Sequence, residues 1–321
     1  MRQLVLIAVK LAISATLLYF AVSRMNFSTI GDRLSNLEPG WILAALVIAL
    51  TQIGVGAFRW QRIVLVCGAA LPPLQAFRFY LIAAFFNQVL PSTVGGDAAR
   101  IWLLAGTGAG WWKATYSVLL DRFIGVLILA TLVATGLYWS FGLIENRVGR
   151  IVLLVIGLGS LAAGAAFLAL GRWRLLEQWG LTRRLAEMAV IARQMLLSRD
   201  TGLLIVASSL LIHLMTAAIA WTLAKSVAGR FEFLHAFLLV PPVMLVATIP
   251  ISIAGWGVRE SALVLAFSYA GLPESDGLII SVLLGGVLFV TGIIGGVVWL
   301  ASPEELRISA AWQSEQPPPQ T

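Results

Sequence analysis

Six long apolar stretches constrain the fold of this chain more than any other feature. Each runs for roughly 20 residues with few charges, which is the length an α-helix needs to cross the hydrocarbon core of a bilayer, about 30 Å thick. The stretches are 4–22, 41–58, 116–139, 151–170, 203–224 and 277–300. The first is not followed by a cleavage pattern of small residues, so it is expected to be retained as a helix. The sequence therefore predicts an all-α polytopic membrane protein.

Composition supports this class and narrows the possible partners. A chain that is 60% hydrophobic and 12% charged has more apolar surface than a soluble core of 321 residues could bury. The net charge of +7 could suggest nucleic acid, but arginine clusters in membrane proteins usually mark the cytoplasmic side and meet anionic lipids. The only cysteine, Cys67, excludes an internal disulfide and most zinc sites. We expect membrane lipids as partners, no nucleic acid, no metal and no cofactor.

The distribution of arginine predicts the orientation. Segment 171–200 is rich in arginine and has apolar positions at helical spacing, so it is expected to be a cytoplasmic amphipathic segment, part of it on the membrane surface. Counting crossings in both directions from it places both termini in the cytoplasm. We predict a single transmembrane domain, 1–300, followed by a partly disordered cytoplasmic tail, 301–321.

Two segments each have a proline nine residues before an arginine, with two glycines between them. They are Pro91, Gly95, Gly96 and Arg100 in the first half, and Pro250, Gly255, Gly257 and Arg259 in the second. Each segment interrupts apolar sequence that is too short on either side for a comfortable span. Corresponding broken helices in two halves are typical of transporters built from inverted repeats. We predict repeats of about 1–145 and 146–300, with about six full spans and two broken, re-entrant-like hairpins that enter from opposite sides and meet near the midplane.

The first broken segment is unusually polar. Pro91 is expected to end the incoming helix, Gly95 and Gly96 to permit a tight return with positive φ, and Asp97 to cap the next helix. A helix N-terminus inside the membrane attracts anions such as phosphate, and Arg100 would add a permanent positive charge. Neutral hydrogen bonds to a headgroup could come from Asn87, Gln88, Ser92 and Thr93.

The second broken segment and one long apolar stretch carry further charges. Arg259 occupies the position of Arg100 and is followed by Glu260, while Asp121 and Arg122 interrupt the stretch 116–139. Charges at membrane depth are costly and usually mark ion pairs or functional cavities. The predicted substrate site comprises Asn87, Gln88, Ser92, Thr93, Gly95, Gly96, Asp97, Arg100, Asp121, Arg122, Ser252, Gly255, Gly257, Arg259 and Glu260.

Two interpretations of these charges remain open. They could neutralise one another and hold the two halves together, or at least one arginine could bind an anionic headgroup. In the second case, the phosphate is expected to meet Arg100 or Arg259. No catalytic residue is predicted.

These residues also carry a family resemblance. The stretch 87–100, with its Leu-Pro and Gly-Gly-Asp-x-x-Arg, and the stretch 250–260, ending in Gly-Val-Arg-Glu, resemble the two signature segments of the lysylphosphatidylglycerol synthase transmembrane-region family, which is flippase-like. The resemblance covers roughly residues 1–300. It implies an integral protein of the bacterial inner membrane that moves a lipid, with Asn87, Asp97, Arg100, Arg259 and Glu260 as key positions. No soluble aminoacyl-transferase domain follows Leu300, so synthesis of lysylphosphatidylglycerol by this chain alone is not expected.

Three functions remain possible at this point. The broken helices and buried charges favour a lipid flippase for an anionic or headgroup-modified lipid, whether a phospholipid, a polyprenyl-phosphate-linked lipid or a hopanoid type. A non-catalytic partner of a lipid-modifying enzyme is the alternative. A polyprenyl-phosphate glycosyltransferase should show an acidic sugar-nucleotide site, and no such cluster of Asp and Glu is visible, so the protein is not expected to be an enzyme.

Overall fold

The computed structural model describes Thr16 and residues 37–90, 94–170, 180–227, 231–249 and 255–302. Within these ranges the chain forms ten helices and no strand, so it is an all-α protein as predicted. The helices are α1 (Pro39–Val66), α2 (Pro73–Val89), α3 (Gly95–Leu104), α4 (Trp111–Leu143), α5 (Arg147–Leu170), α6 (Gly180–Leu197), α7 (Arg199–Ser226), α8 (Phe233–Ala247), α9 (Val258–Tyr269) and α10 (Glu274–Leu300). A five-residue π-helical turn, Ala105–Ala109, follows α3 and leads to α4.

Five of these helices, α1, α4, α5, α7 and α10, are long and apolar enough to cross a membrane. They confirm five of the six predicted spans, and the first predicted span, 4–22, lies outside the described residues except for Thr16. All five are longer than predicted, and the largest extensions are at the end of α1, which continues past residue 58 to Val66, and at the start of α4, which begins at Trp111. The extension of α1 matters for the site, since it places Arg59 inside a spanning helix.

Short helices flank both broken segments. In the first half α2 packs against α3, and in the second half α8 packs against α9. At 1.5 Å per residue, α3, α8 and α9 are roughly 15 to 22 Å long, less than the hydrocarbon thickness. The structure therefore has the two helical pairs that the sequence predicts, while their re-entrant position in a bilayer stays a prediction.

The two halves pack through matching antiparallel pairs. The start of α1 meets the end of α7, where the Glu38 amide donates to the Ser226 carbonyl over 3.2 Å. Farther along, the Gln52 side chain donates to the Ile212 carbonyl at 2.8 Å, so the two helices run in opposite directions. Helix α2 packs on α10, and α4 packs on α8, which is the corresponding pair in the other half. Corresponding spans of inverted repeats cross in opposite directions, so this packing supports the predicted symmetry, which itself stays a prediction.

Helix α6 contains most of the described part of the arginine-rich segment, and Arg199 and Asp200 begin α7. Its apolar stripe, including Met188, Ala192 and Met195, is buried against Ile63 of α1 and Ile205 of α7. Protein therefore covers these residues of the stripe, while the placement of part of the segment on the membrane surface stays a prediction. The remainder, 171–179, and the predicted tail beyond Ser302 lie outside the described residues.

Candidate functional site

Five charged side chains from three helices form one ion-pair cluster. Asp121 of α4 accepts from Arg59 of α1 at 2.8 Å through Oδ1, and from Arg100 of α3 at 2.8 Å through Oδ2. Asp97 of α3 accepts from Arg100 at 2.6 Å through Oδ1. Its other oxygen accepts from Arg122 Nε of α4 at 2.5 Å. The cluster therefore joins α1, α3 and α4 through a continuous network.

Burial and aromatic rings fix most of this cluster in place. Arg59, Arg100 and Asp121 are each at most 5% exposed. The Arg100 guanidinium lies 4.8 Å from the ring centre of Tyr80 and 5.1 Å from that of Trp60, which are favourable cation–π distances. These contacts and its two ion pairs hold Arg100 in place.

The cluster carries an excess of positive charge. Three guanidinium groups face two carboxylates, and each of the four carboxylate oxygens already accepts from an arginine. The net charge of these five side chains is thus about +1 at neutral pH. Arg122 differs from the other two arginines, because 37% of its side chain is exposed. A buried excess charge is costly unless an anion compensates it.

A cavity of about 300 Å³ opens beside the cluster. All five charged residues line it, together with Asn87 at the end of α2 and His213 of α7. Thr248, directly after α8, lines it from the second half. The cavity therefore lies where the first helical pair meets the end of α8, the position that inverted-repeat transporters use for binding sites.

A second cavity of about 220 Å³ lies next to the first. Its polar lining comes from Gln52 of α1, Asn87 and Gln88 of α2, and Thr291 of α10. Asn87 and Ala84 line both cavities. None of the residues that line the second cavity is charged, so the two neighbouring spaces offer different chemistry.

The structure corrects two expectations about the first broken segment. Gly95 and Gly96 lie in helical backbone and do not have the predicted positive φ. They are needed instead because α2 approaches closely: a Cβ on Gly96 would lie 2.7 Å from the Asn87 side chain, and one on Gly95 would lie 2.6 Å from the Phe86 carbonyl. Asp97 does not cap α3 as expected, because both of its carboxylate oxygens bind arginine.

The second broken segment forms a closed ion pair. Arg259 donates to Glu260 Oε1 at 2.6 Å, and Ser281 of α10 donates to the same oxygen at 3.0 Å. Glu260 Oε2 accepts from the Gly257 amide at 2.6 Å. Gly257 and Gly255 have φ of +86° and +81°, as glycine permits in a tight turn.

Arg259 and Glu260 do not line the 300 Å³ cavity. The predicted site residues are thus only partly brought together, since the first segment and α4 meet at the cavity and the charged pair of the second segment lies apart from it. Three predicted site residues, Ser92, Thr93 and Ser252, and both predicted structural breaks, Pro91 and Pro250, lie outside the described residues.

Sequence reasoning missed several residues that complete the site. Arg59 lies just beyond the predicted stretch 41–58 and is absent from the predicted site, as are Tyr80, Gln52 and Thr291. The apolar residues 63–66 indicate that the helix continues past Arg59, but nothing local indicates that Arg59 pairs with Asp121. Nothing local distinguishes Tyr80 from the other aromatic residues of α2. Within the described ranges, no three His, Cys, Asp or Glu side chains gather in a way that would hold a metal ion.

Comparison with known proteins gives a family for this architecture. Residues 7–296 match the model of the lysylphosphatidylglycerol synthase transmembrane region, which is nearly the whole chain. No curated protein and no solved structure gave a significant match. The match includes both broken segments and every helix that lines the two cavities. The chain therefore belongs to the lysylphosphatidylglycerol synthase transmembrane-region family, and it is an integral membrane protein linked to lipid handling.

Proposed function

We propose that this protein moves a lipid with an anionic headgroup between the two leaflets of the membrane, without changing it chemically. The observation that carries this proposal is the net positive cluster beside the 300 Å³ cavity, among helices that are apolar elsewhere. A lipid phosphate crossing the hydrocarbon core must leave water, and this step is unfavourable without a compensating charge. The cavity supplies that charge between the two halves of the protein.

Arg122 is the arginine best placed to receive the phosphate. Arg59 and Arg100 are buried and pair with Asp121, so neither can turn towards a ligand without breaking a buried ion pair. Arg122 lines the cavity, and more than a third of its side chain is exposed. An arriving phosphate would share this guanidinium with Asp97. The lipid's acyl chains would remain in the surrounding bilayer, which avoids transferring apolar surface into water.

We propose that the protein lies in the bacterial inner membrane with both termini in the cytoplasm. Four exposed glutamates, Glu38, Glu145, Glu232 and Glu274, precede or begin α1, α5, α8 and α10 at one end of the molecule. The arginines of α6 lie at the other end, which the positive-inside rule assigns to the cytoplasm.

Cysteine labelling in intact cells tests this orientation. After Cys67→Ala removes the native thiol, a cysteine at position 145 should react with an impermeant maleimide added outside. A cysteine at position 183 should react only after the cells are opened. The reverse pattern would overturn the orientation.

Purified protein in vesicles tests the function. Vesicles containing phosphatidylglycerol with a fluorescent acyl chain are treated with an impermeant quencher, and the accessible fraction is followed over time. We expect the protein to make the inner-leaflet lipid accessible faster than protein-free vesicles do, with the lipid recovered unchanged. A modified headgroup would indicate an enzyme. No acceleration would contradict the proposal and favour a non-catalytic partner of a lipid-modifying enzyme.

A further inference from the structure

The 220 Å³ cavity beside the charged cluster has neutral polar walls. It lies between α1, α2 and α10, and its polar residues come from the middle of α1, the end of α2 and the second half of α10. Because it shares Ala84 and Asn87 with the 300 Å³ cavity, a ligand with its phosphate at Arg122 would direct the rest of its headgroup towards this second space. The chemistry of the walls then decides which headgroup fits.

The walls offer both donors and acceptors that the described residues do not use. Gln52 Nε2 donates to the Ile212 carbonyl and to Thr216, which leaves the Gln52 side-chain oxygen as an acceptor. Asn87 accepts from the Gly96 amide at 2.8 Å, which leaves its NH₂ group as a donor.

Two further residues complete this set. Thr291 donates to the Leu288 carbonyl and keeps its oxygen as an acceptor. Gln88 makes no side-chain hydrogen bond among the described residues, so both its oxygen and its NH₂ group are available. Hydroxyl groups both donate and accept, and such a mixed set suits them.

The same site lacks what a cationic headgroup requires. A buried ammonium group is unfavourable without a carboxylate partner. The second cavity has no acidic lining residue, and both carboxylates of the first cavity have each oxygen bound to an arginine. An aminoacyl headgroup would therefore bring positive charge to a site that is already positive.

We propose that the substrate is an anionic lipid whose phosphate carries an uncharged polyhydroxyl group, such as glycerol or a sugar, and that the cavity formed by Gln52, Asn87, Gln88 and Thr291 binds those hydroxyls. This inference rests on the proposed function, because it assigns a headgroup class to the same site. It separates this chain's substrate from lysylphosphatidylglycerol, whose headgroup is cationic.

Lipid binding to the full chain in detergent, measured by native mass spectrometry, tests this assignment without requiring transport. The probes are phosphatidylglycerol, phosphatidic acid, which has the phosphate without a polyol, and lysylphosphatidylglycerol. We expect the wild-type protein to bind phosphatidylglycerol about tenfold more tightly than either of the others, as a few neutral hydrogen bonds would give. Equal or tighter binding of lysylphosphatidylglycerol would overturn the inference.

The variant Gln88→Met with Thr291→Val removes polar groups from the cavity with little change in volume. It should lose the preference for phosphatidylglycerol over phosphatidic acid, while the affinity for phosphatidic acid stays unchanged. If the double variant does not fold, Thr291→Val alone should lose about threefold of the preference. Thr131→Val is the matched control, because Thr131 is exposed on α4 and donates to its own helix in the same way.

Binding and transport together separate the two proposals. A retained preference for phosphatidylglycerol without movement of any lipid would support this inference and contradict lipid translocation. Movement of lipid with equal binding of all three probes would support translocation and overturn the polyhydroxyl site. An equal loss of affinity for phosphatidylglycerol and phosphatidic acid in the double variant would also overturn it.

Discussion

The two broken segments carry an arginine at the same position and use it in different ways. Arg100 belongs to an open network of three arginines and two aspartates that spans three helices and lines a cavity. Arg259 pairs with its neighbour Glu260, and the pair is closed by Ser281. The first cluster has about one unit of excess positive charge, whereas the second is neutral.

This difference shows that equivalent residues in the two halves need not share a role. A neutral, buried ion pair with satisfied hydrogen bonds holds α9 against α10 and has no charge left to offer a ligand. An unbalanced positive cluster beside a cavity favours the binding of an anion. We therefore expect the first unit to bind the headgroup and the second to stabilise the fold, and the following variants test this division.

The largest effect is expected for Asp121→Asn. This change removes the carboxylate that holds both Arg59 and Arg100, and it leaves three guanidinium groups facing Asp97 alone. Breaking buried ion pairs in this way costs about 3 to 5 kcal/mol, so thermal unfolding in detergent should occur at a clearly lower temperature. Glu145→Gln, at an exposed position, is the control and should change nothing. Wild-type stability of Asp121→Asn would show that the network does not hold these helices together.

A smaller loss, about 3 kcal/mol, is expected for Glu260→Gln, because it leaves Arg259 without a countercharge, and the single glutamine oxygen can accept from only one of the Gly257 amide and the Ser281 hydroxyl. Adding Arg259→Met to this variant should restore most of the lost stability, since the buried charge is then gone. The same unfolding measurement compares the single and double variants. If the double variant is less stable than the single one, the loss of stability in Glu260→Gln does not come from the unpaired charge of Arg259.

The glycines of the two segments should also respond differently. Gly96→Ala would place a Cβ against Asn87 and the Ala83 carbonyl, which should separate α2 from α3 and cost about 1 to 3 kcal/mol. Gly255→Ala has open space around the new Cβ and is opposed only by the φ of +81°, a cost of about 1 kcal/mol. Unfolding temperatures measured side by side should rank them in that order. The reverse order would mean that the positive φ at Gly255 costs more stability than the close helix contact at Gly96.

Much of the fold could be predicted, because the length of an apolar stretch and the distribution of charged residues are local features of the sequence. The five long described spans and the two short helical pairs lie where the apolar runs and the glycines predict them. The ends of the helices were predicted less accurately. The extension of α1 to Val66 buries Arg59, and this depends on an ion pair with Asp121, 62 positions away. A local pattern does not contain that information.

The site was predictable only in part, for the same reason. The polar residues of the first segment identified one wall of the cavity, but the wall formed by Arg59, Tyr80 and His213 depends on how α1, α2 and α7 pack. The assumption that Arg259 acts as Arg100 does was reasonable from spacing alone. The structure separates them, because Glu260 follows Arg259 directly, whereas Arg100 shares its carboxylates with two other arginines.

Translocation of fluorescent phosphatidylglycerol by Arg122→Gln tests the central claim most directly. Because this side chain is partly exposed, the variant should unfold at nearly the wild-type temperature, while the loss of one charged hydrogen bond to phosphate should slow translocation about tenfold or more. The double variant Arg259→Met with Glu260→Gln is the matched control and should move lipid at the wild-type rate. Wild-type translocation by Arg122→Gln, or a loss confined to the double variant, would contradict the assignment of the headgroup site to the first unit.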